Sequence, residues 1–296
     1  MTMRYAFFKG CLIPAKLPHL EALAQKIFPE LGIELVDLPG FSCCPDPINF
    51  SGADQLTWMT IAARNLCLAE EKGLDIITLC NGCVNTLAQA RHALAHTPEL
   101  REKVNALLAD TGHHFEGRVE VRHFLKVFYE DIGLEALKKL VKKDLSGLKV
   151  ATHTGCHLFS PHEVMHFDNP ADPFVLDEMV AALGAEAVDY DLKSQCCGSS
   201  LILSGKQQGS SKLLEDKLTR MREQKADCIA VVCPFCYQQF DLGQLMAARK
   251  LKLDFSIPVL FYLQLLGLAM GLTLKDVHYD THKIKGASLE AVCKES

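Results

Sequence analysis

Hydrophobic positions along this 296-residue chain fall into short unbroken runs, separated by longer stretches in which apolar residues recur with helical spacing. Four of the short runs end alike. Arg4 to Gly10 leads into Cys11, Asp75 to Leu79 into Cys80, Lys149 to Gly155 into Cys156, and Cys228 to Val232 into Cys233. Short apolar runs rich in β-branched residues, set between helical stretches, predict buried parallel strands. Helices are expected over Leu17 to Leu31, Asp54 to Lys72, Pro173 to Leu183 and Gly209 to Lys225, with Gly73 and Gly184 as helix-ending residues. Ile257 to Leu274 reads as a buried strand followed by a core helix. Pro258, Gln264 and Gly267 interrupt it as a membrane span.

The strand-helix-strand-helix succession occurs twice. It predicts an α/β fold of two pseudo-symmetric cysteine-rich domains, each a small, mainly parallel sheet flanked by helices. The boundary is expected near Asp144-Leu145-Ser146-Gly147, giving domains 1–147 and 148–296. Lys138, Lys139, Lys142 and Lys143, just before it, read as a solvated helix face. Parallel sheets place their ligands at the carboxyl ends of strands. Loops at that edge can therefore gather residues as distant as Cys11 and Cys83 into one pocket.

Composition narrows the chemistry. With 49% hydrophobic and 23% charged residues the chain can bury a sizeable core, and a net charge of -5 leaves no dominant basic surface. Nucleic acid and anionic membranes are thus poor default partners. The apolar stretch behind the N-terminus is too short for a signal sequence, so a cytoplasmic protein is expected. Thirteen cysteines cannot all pair. In a reducing compartment, clustered cysteines point to metal or redox chemistry.

Ten of them form a repeated pattern. Cys11 is followed after 31 residues by Cys43-Cys44 and after 35 more by Cys80-Asn-Gly-Cys83. Cys156 is followed after 39 residues by Cys196-Cys197 and after 35 more by Cys233-Pro-Phe-Cys236. Five thiolates per half are one too many for tetrahedral zinc. Adjacent cysteines diverge around a single small ion, whereas a multi-iron cluster has ligand positions for both. Cys67, Cys228 and Cys293 fall outside the pattern and read as small buried or tail hydrophobes.

This arrangement resembles the cysteine-rich (CCG) domain, and two copies in a chain of this length resemble the B subunit of heterodisulfide reductase. The resemblance extends to Pro258-Val-Leu-Phe-Tyr-Leu-Gln-Leu-Leu-Gly267. It implies two noncubane [4Fe-4S] clusters, one on Cys11, Cys43, Cys44, Cys80 and Cys83, the other on Cys156, Cys196, Cys197, Cys233 and Cys236. It further implies homolytic cleavage of a disulfide between the two clusters. In methanogens, which are anaerobic, that disulfide joins coenzyme M and coenzyme B. Electrons are implied to come from a flavin-containing partner (the A subunit) through a ferredoxin-like one (the C subunit). One departure is visible: the second half has Cys196-Cys197-Gly198, the first Cys43-Cys44-Pro45. Proline removes an N–H there, which bears on the potential of the first cluster.

Lys9, His153 and His157 flank the first cysteine of each set and are candidate helpers that orient an anionic substrate or donate a proton. His162 and His166 share that reading, with a surface role as the alternative. His113-His114 reads as solvated. Gly198-Ser199-Ser200 is placed to bring backbone N–H groups toward cluster sulfurs. Neither a Walker motif nor a GxGxxG before a helix occurs, so this chain is not expected to bind nucleotide or flavin. Two other functions remain open: a non-catalytic electron relay of a quinone-linked complex, and a zinc-binding scaffold.

Overall fold

The computed structural model describes residues 2–251 and 253–294. Its first sheet contains β1 (Met3–Phe8), β2 (Ile33–Val36), β3 (Asp75–Thr78) and β4 (Val121–His123) in the order β2-β1-β3-β4. The second contains β5 (Lys149–His153), β6 (Glu186–Val188), β7 (Cys228–Val231) and β8 (Val259–Phe261) in the order β6-β5-β7-β8. Pairing is parallel throughout the described strands. The expected α/β fold of two pseudo-symmetric, helix-flanked sheets is thus observed.

In each sheet the strands that run into cysteines are the central pair. β1 and β3 pair through Phe8 and Thr78, and β5 and β7 through His153 and Val231. The chain leaves β1 toward β2 on one side and reaches β3 on the other. The carboxyl ends of the central strands are therefore a topological switch point, where open α/β sheets form their crevice. The edge strands β2, β4 and β6 escape the sequence pattern because they are short and carry polar residues (Glu34, Arg122, Glu186) among the apolar ones, as edge strands do.

Helix α1 (Pro18–Ile27) gives way to a tighter turn over Phe28–Leu31, because Pro29 has no N–H to continue the ladder. Helices α2 (Gln55–Glu70), α3 (Asn81–His96), α4 (Val175–Ala181) and α5 (Gln207–Glu223) cover the sheets, with Asp54 capping α2 through Thr57 N–H. The CxxC of the second half opens α6 (Pro234–Gln238), which runs into a π-turn over Gln239–Gly243. After β8, helix α7 (Tyr262–Ala269) is buried along its whole length and packs against α1 of the other half. Phe124 and Phe261, at matching ends of β4 and β8, stack at 5.6 Å. One hydrophobic cluster consequently runs through both sheets, which fixes the two switch points relative to each other. Among the described residues no helix is long and apolar enough to cross a membrane.

Candidate metal centre

Each half presents its five cysteines from three places. The first follows the central strand directly, after a glycine in a left-handed conformation (Gly10 φ 67°, Gly155 φ 87°). A Cβ on Gly10 would stand 2.7 Å from Cys83 Sγ, and one on Gly155 would stand 2.7 Å from Asn81 Nδ2. The adjacent pair sits in a loop before the long helix. The CxxC begins a helix: Cys80 and Cys233 are extended N-cap residues, and Cys83 and Cys236 lie one turn in. Helix N-termini favour thiolates through their free N–H groups.

All ten cysteines line a single cleft. None of the thirteen forms a disulfide. Cys44 and Cys83 sulfurs stand 2.9 Å apart, and Cys197 and Cys236 sulfurs 3.5 Å. Crowded thiols share protons, so their affinities split. Hydrogen bonds from Cys43 and Cys83 hold Cys44 down to about 5, and those from Cys156 and Cys197 hold Cys196 down to about 2. Cys11 and Cys156 are pushed up by the partners Cys43 and Cys196. Cys80 and Cys233 split the same way across the boundary between halves, Cys80 up and Cys233 down. Unpaired sulfurs converging from strand ends and helix N-termini, five from each half, fit a soft metal group with more ligand positions than one tetrahedral ion offers. Cys67 and Cys228 are buried away from the cleft, and Cys293 is half-buried on the last helix.

The halves meet at this cleft. Asn81, inside the first CxxC, donates from Nδ2 to the Thr154 carbonyl at 2.6 Å. Asn85 donates to the carbonyls of His157 and Ser160 at 2.9 and 2.7 Å. Helix α3 of one half thus fastens the loop carrying Cys156 of the other. Sequence reasoning passed over both asparagines. Their signal was two amide side chains spaced i, i+4 on α3, on the side of the helix opposite Cys83, Leu87, Ala90 and Leu94.

The helpers separate. Lys9 stands at the rim of the cleft but is paired with Glu21 (2.5 Å) and Asp37 (2.8 Å). His157 lines the cleft with Nδ1 3.9 Å from Cys156 Sγ. His153 is no surface acid: it is 1% exposed, and neither ring nitrogen has a partner. One of its nitrogens and the sulfurs of Cys197 and Cys236 lie within 4.8 Å of one another. Burial, then the charge of Lys217, lowers its pKa to about 3, so it is a neutral imidazole. His162 and His166 are exposed and lie outside the cleft, with rings 6.3 Å apart. His113 differs from its solvated reading. Its Nδ1 meets Glu71 at 2.7 Å because the turn after residue 108 folds back on α2.

Around the second set, the Gly198 N–H donates to Cys196 Sγ at 3.3 Å, and Cys197 Sγ meets Ser199 Oγ at 3.3 Å. Gln239, in the π-turn, donates to the Cys197 carbonyl at 3.1 Å. Around the first set, Pro45 offers no N–H, and the Cys43 thiol turns to the Cys44 carbonyl at 3.0 Å.

The family model described as cysteine-rich domain matches residues 5–88 and again 150–241. The B subunit of the ferredoxin/F(420)H(2)-dependent CoB-CoM heterodisulfide reductase of Methanosarcina acetivorans is 41% identical over 283 residues, covering 95% of this chain and 94% of that one. The "8-methylmenaquinol:fumarate reductase membrane anchor subunit" of Wolinella succinogenes is 31% identical over 289 residues, covering 98% and 100%. Among solved structures, a hypothetical protein from Helicobacter pylori superposes with a TM-score of 0.76 at 19% identity over 95% of this chain. This chain spans about half (52%) of that one, and the likeness concerns the fold.

Proposed function

This chain belongs to the family of heterodisulfide reductase B subunits, with two cysteine-rich domains in one polypeptide, and from that premise we propose that it is the disulfide-cleaving member of an iron–sulfur oxidoreductase complex. The observation that carries the reading is the single cleft lined by both five-cysteine sets. Two separate electron-carrying sites would have no need to open into a common space, whereas a disulfide has two sulfurs to be met.

Cys11, Cys43, Cys44, Cys80 and Cys83 hold one noncubane [4Fe-4S] cluster, and Cys156, Cys196, Cys197, Cys233 and Cys236 the other. When bound, these groups supply one-electron reduction at either end of a disulfide. The chain's own residues shape the space between. Leu12, Ile13, Leu203 and Phe235 give the cleft an apolar wall that displaces water from a disulfide substrate. Asn81 and Asn85 fix the distance between the two sets. Because the cysteines are committed as ligands, thiol-disulfide exchange by a free thiolate is not the route.

The chain has no motif for electron entry, so a ferredoxin-like C subunit and a flavin-containing A subunit are its proposed partners, in the cytoplasm. Domains divide near residue 147. A second reading, an electron relay without disulfide chemistry, draws support from the fumarate reductase relative, whose name describes an anchor of a quinol-linked enzyme.

The test is anaerobic purification followed by metal analysis and assay. About eight iron per chain are expected for two such clusters, with turnover of a small disulfide by a reduced viologen dye. A substrate-dependent EPR signal should appear on adding disulfide or thiol. Eight iron without turnover would favour the relay, and zinc in place of iron would end both readings.

A further inference from the structure

The two cysteine sets are held alike but surrounded differently. Between the adjacent pair and the CxxC the halves align without a gap, each residue lying 153 positions after its counterpart (Cys43 to Cys196, Cys80 to Cys233). The structure keeps the register: Arg64 Nη1 donates to the Gly40 carbonyl at 2.8 Å, and its counterpart Lys217 donates from Nζ to the carbonyls of Leu192 and Lys193, the counterpart of Gly40. Four aligned positions near the sulfurs differ, all in one direction. Phe8, three residues before Cys11, corresponds to His153, three before Cys156; in the 153-residue register Pro45 corresponds to Gly198, Asp46 to Ser199, and the half-buried Arg64 to a fully buried Lys217.

Lys217 is the largest of these differences. It is 0% exposed, and among the described residues no carboxylate pairs with it. Its ammonium touches two backbone carbonyls and lies 5.3 Å from the centre of the Tyr190 ring. Burial pushes it down to about 8, and what pushes back is the sulfurs of Cys197, Cys236, Cys196 and Cys156. A buried cation needs a counter-charge, and here the second cysteine set is the one available. At the first set the cation nearest the cleft, Lys9, is already balanced by Glu21 and Asp37, and Asp46 adds a negative charge beside Cys43.

We propose that the second five-cysteine site is built to carry more negative charge than the first, so that the cluster held there is reduced at the more positive potential. The Gly198 N–H, which donates to Cys196 Sγ, the polar Ser199 hydroxyl and His153 imidazole beside the sulfurs, and the Lys217 ammonium each favour the more negative, reduced form of a bound group. Burial alone argues the opposite, since Cys156 and Cys196 are less exposed than Cys11 and Cys43. An unpaired unit charge acting through a water-poor interior is felt several-fold more strongly than in water, and it reverses that order.

The inference rests on the assignment of two clusters to this chain, and the experiment separates the two failures. Iron is counted first, and a chain without iron sinks assignment and inference together. The loaded protein is then titrated with dithionite under EPR. Two reduction steps are expected. Lys217→Gln should move the upper step negative and leave the lower one in place, Lys217→Arg should restore it, and Arg64→Gln should move neither. His153→Phe, which copies the first half, should shift the same upper step less far, and it carries the test if Lys217→Gln does not fold. An upper step that stays put in both Lys217→Gln and His153→Phe at full iron, or a lower step that moves instead, overturns the inference alone.

Discussion

The N-terminal and C-terminal halves make the same cradle from different neighbours. Both end a central strand in a positive-φ glycine and a cysteine, both cap a helix with the first cysteine of a CxxC, and both send a cation to the carbonyl three residues before the adjacent pair. These are the parts that position five sulfurs. The parts that set what the sulfurs feel diverge: solvent and a proline on one side, a buried ammonium and an N–H donating to Cys196 Sγ on the other. Duplication has thus kept geometry and released electrostatics, which is the division expected if one cleft needs two unequal ends. The sharpest way to break this comparison is to remove one ligand from each half in turn. Cys83→Ala and Cys236→Ala should each lower iron from about eight to about four per chain, measured on anaerobically purified protein. If either change emptied both sites, the halves would not be independent cradles.

The next largest effect lies in the loop after the second adjacent pair. Gly198 has φ 88°, and a Cβ there would stand 2.8 Å from the Ser210 carbonyl oxygen. Gly198→Ala should cost about 1–3 kcal/mol of strain, read as a melting temperature lowered by roughly 2–6 °C. Pro45, with Trp58 and Thr86 donating to its carbonyl, has no such constraint, and Pro45→Ala should leave the melting temperature within about 2 °C. Equal losses at the two positions would mean that the loops are held alike after all.

The skeleton of this site was legible because ligands leave a spacing and buried strands leave unbroken apolar runs. Four central strands, the helices matching α1, α2, α4, α5 and α7, and the repeat follow from that, whereas α3, which opens at the first CxxC, was not among the expected helices. What surrounds the sulfurs was not legible, for a physical reason: a polar residue reads as exposed until a neighbouring element covers it. Lys217 illustrates the point. It falls on the same helix stripe as Ser210, Leu214, Leu218 and Met221, which is the face α5 buries, so the period held the clue while the residue type argued against it. His153 was noticed for its place beside Cys156, but its burial depends on Phe240, which packs edge-on at 5.1 Å from a π-turn that no local pattern announces.

The seam between halves offers a smaller contrast. Asn85 bonds two carbonyls of the opposite half, while its counterpart Gln238 makes no side-chain hydrogen bond among the described residues. Asn85→Ala leaves half-buried acceptors unmet and should cost about 1–3 kcal/mol, seen as a melting temperature lowered by roughly 2–6 °C. Gln238→Ala should fall within about 0.5 kcal/mol of the unaltered protein. A matching loss from Gln238→Ala would show that the seam is held symmetrically.

Pro45→Gly is the finest probe, because it gives the first half the backbone donor that the second already has. In the second half the Gly198 N–H reaches Cys196 Sγ at 3.3 Å. In the first, the Cys43 thiol has no such donor and bonds the Cys44 carbonyl instead. Glycine at position 45 costs little in fold, roughly 0.5–1 kcal/mol of chain entropy. The loop keeps its anchors, since Trp58 Nε1 and Thr86 Oγ1 bond the carbonyl of residue 45 and not its side chain, at 3.1 and 2.9 Å. A new N–H beside Cys43 favours added negative charge on the sulfur. The lower of two reduction steps should therefore move positive by a small amount, narrowing the gap from below, while the upper step holds. The shift should be less than that from Lys217→Gln, because one amide dipole is weaker than a full charge. If the upper step moved instead, the more positive site would be the one that contains Cys43, and the ranking of the two ends would be reversed.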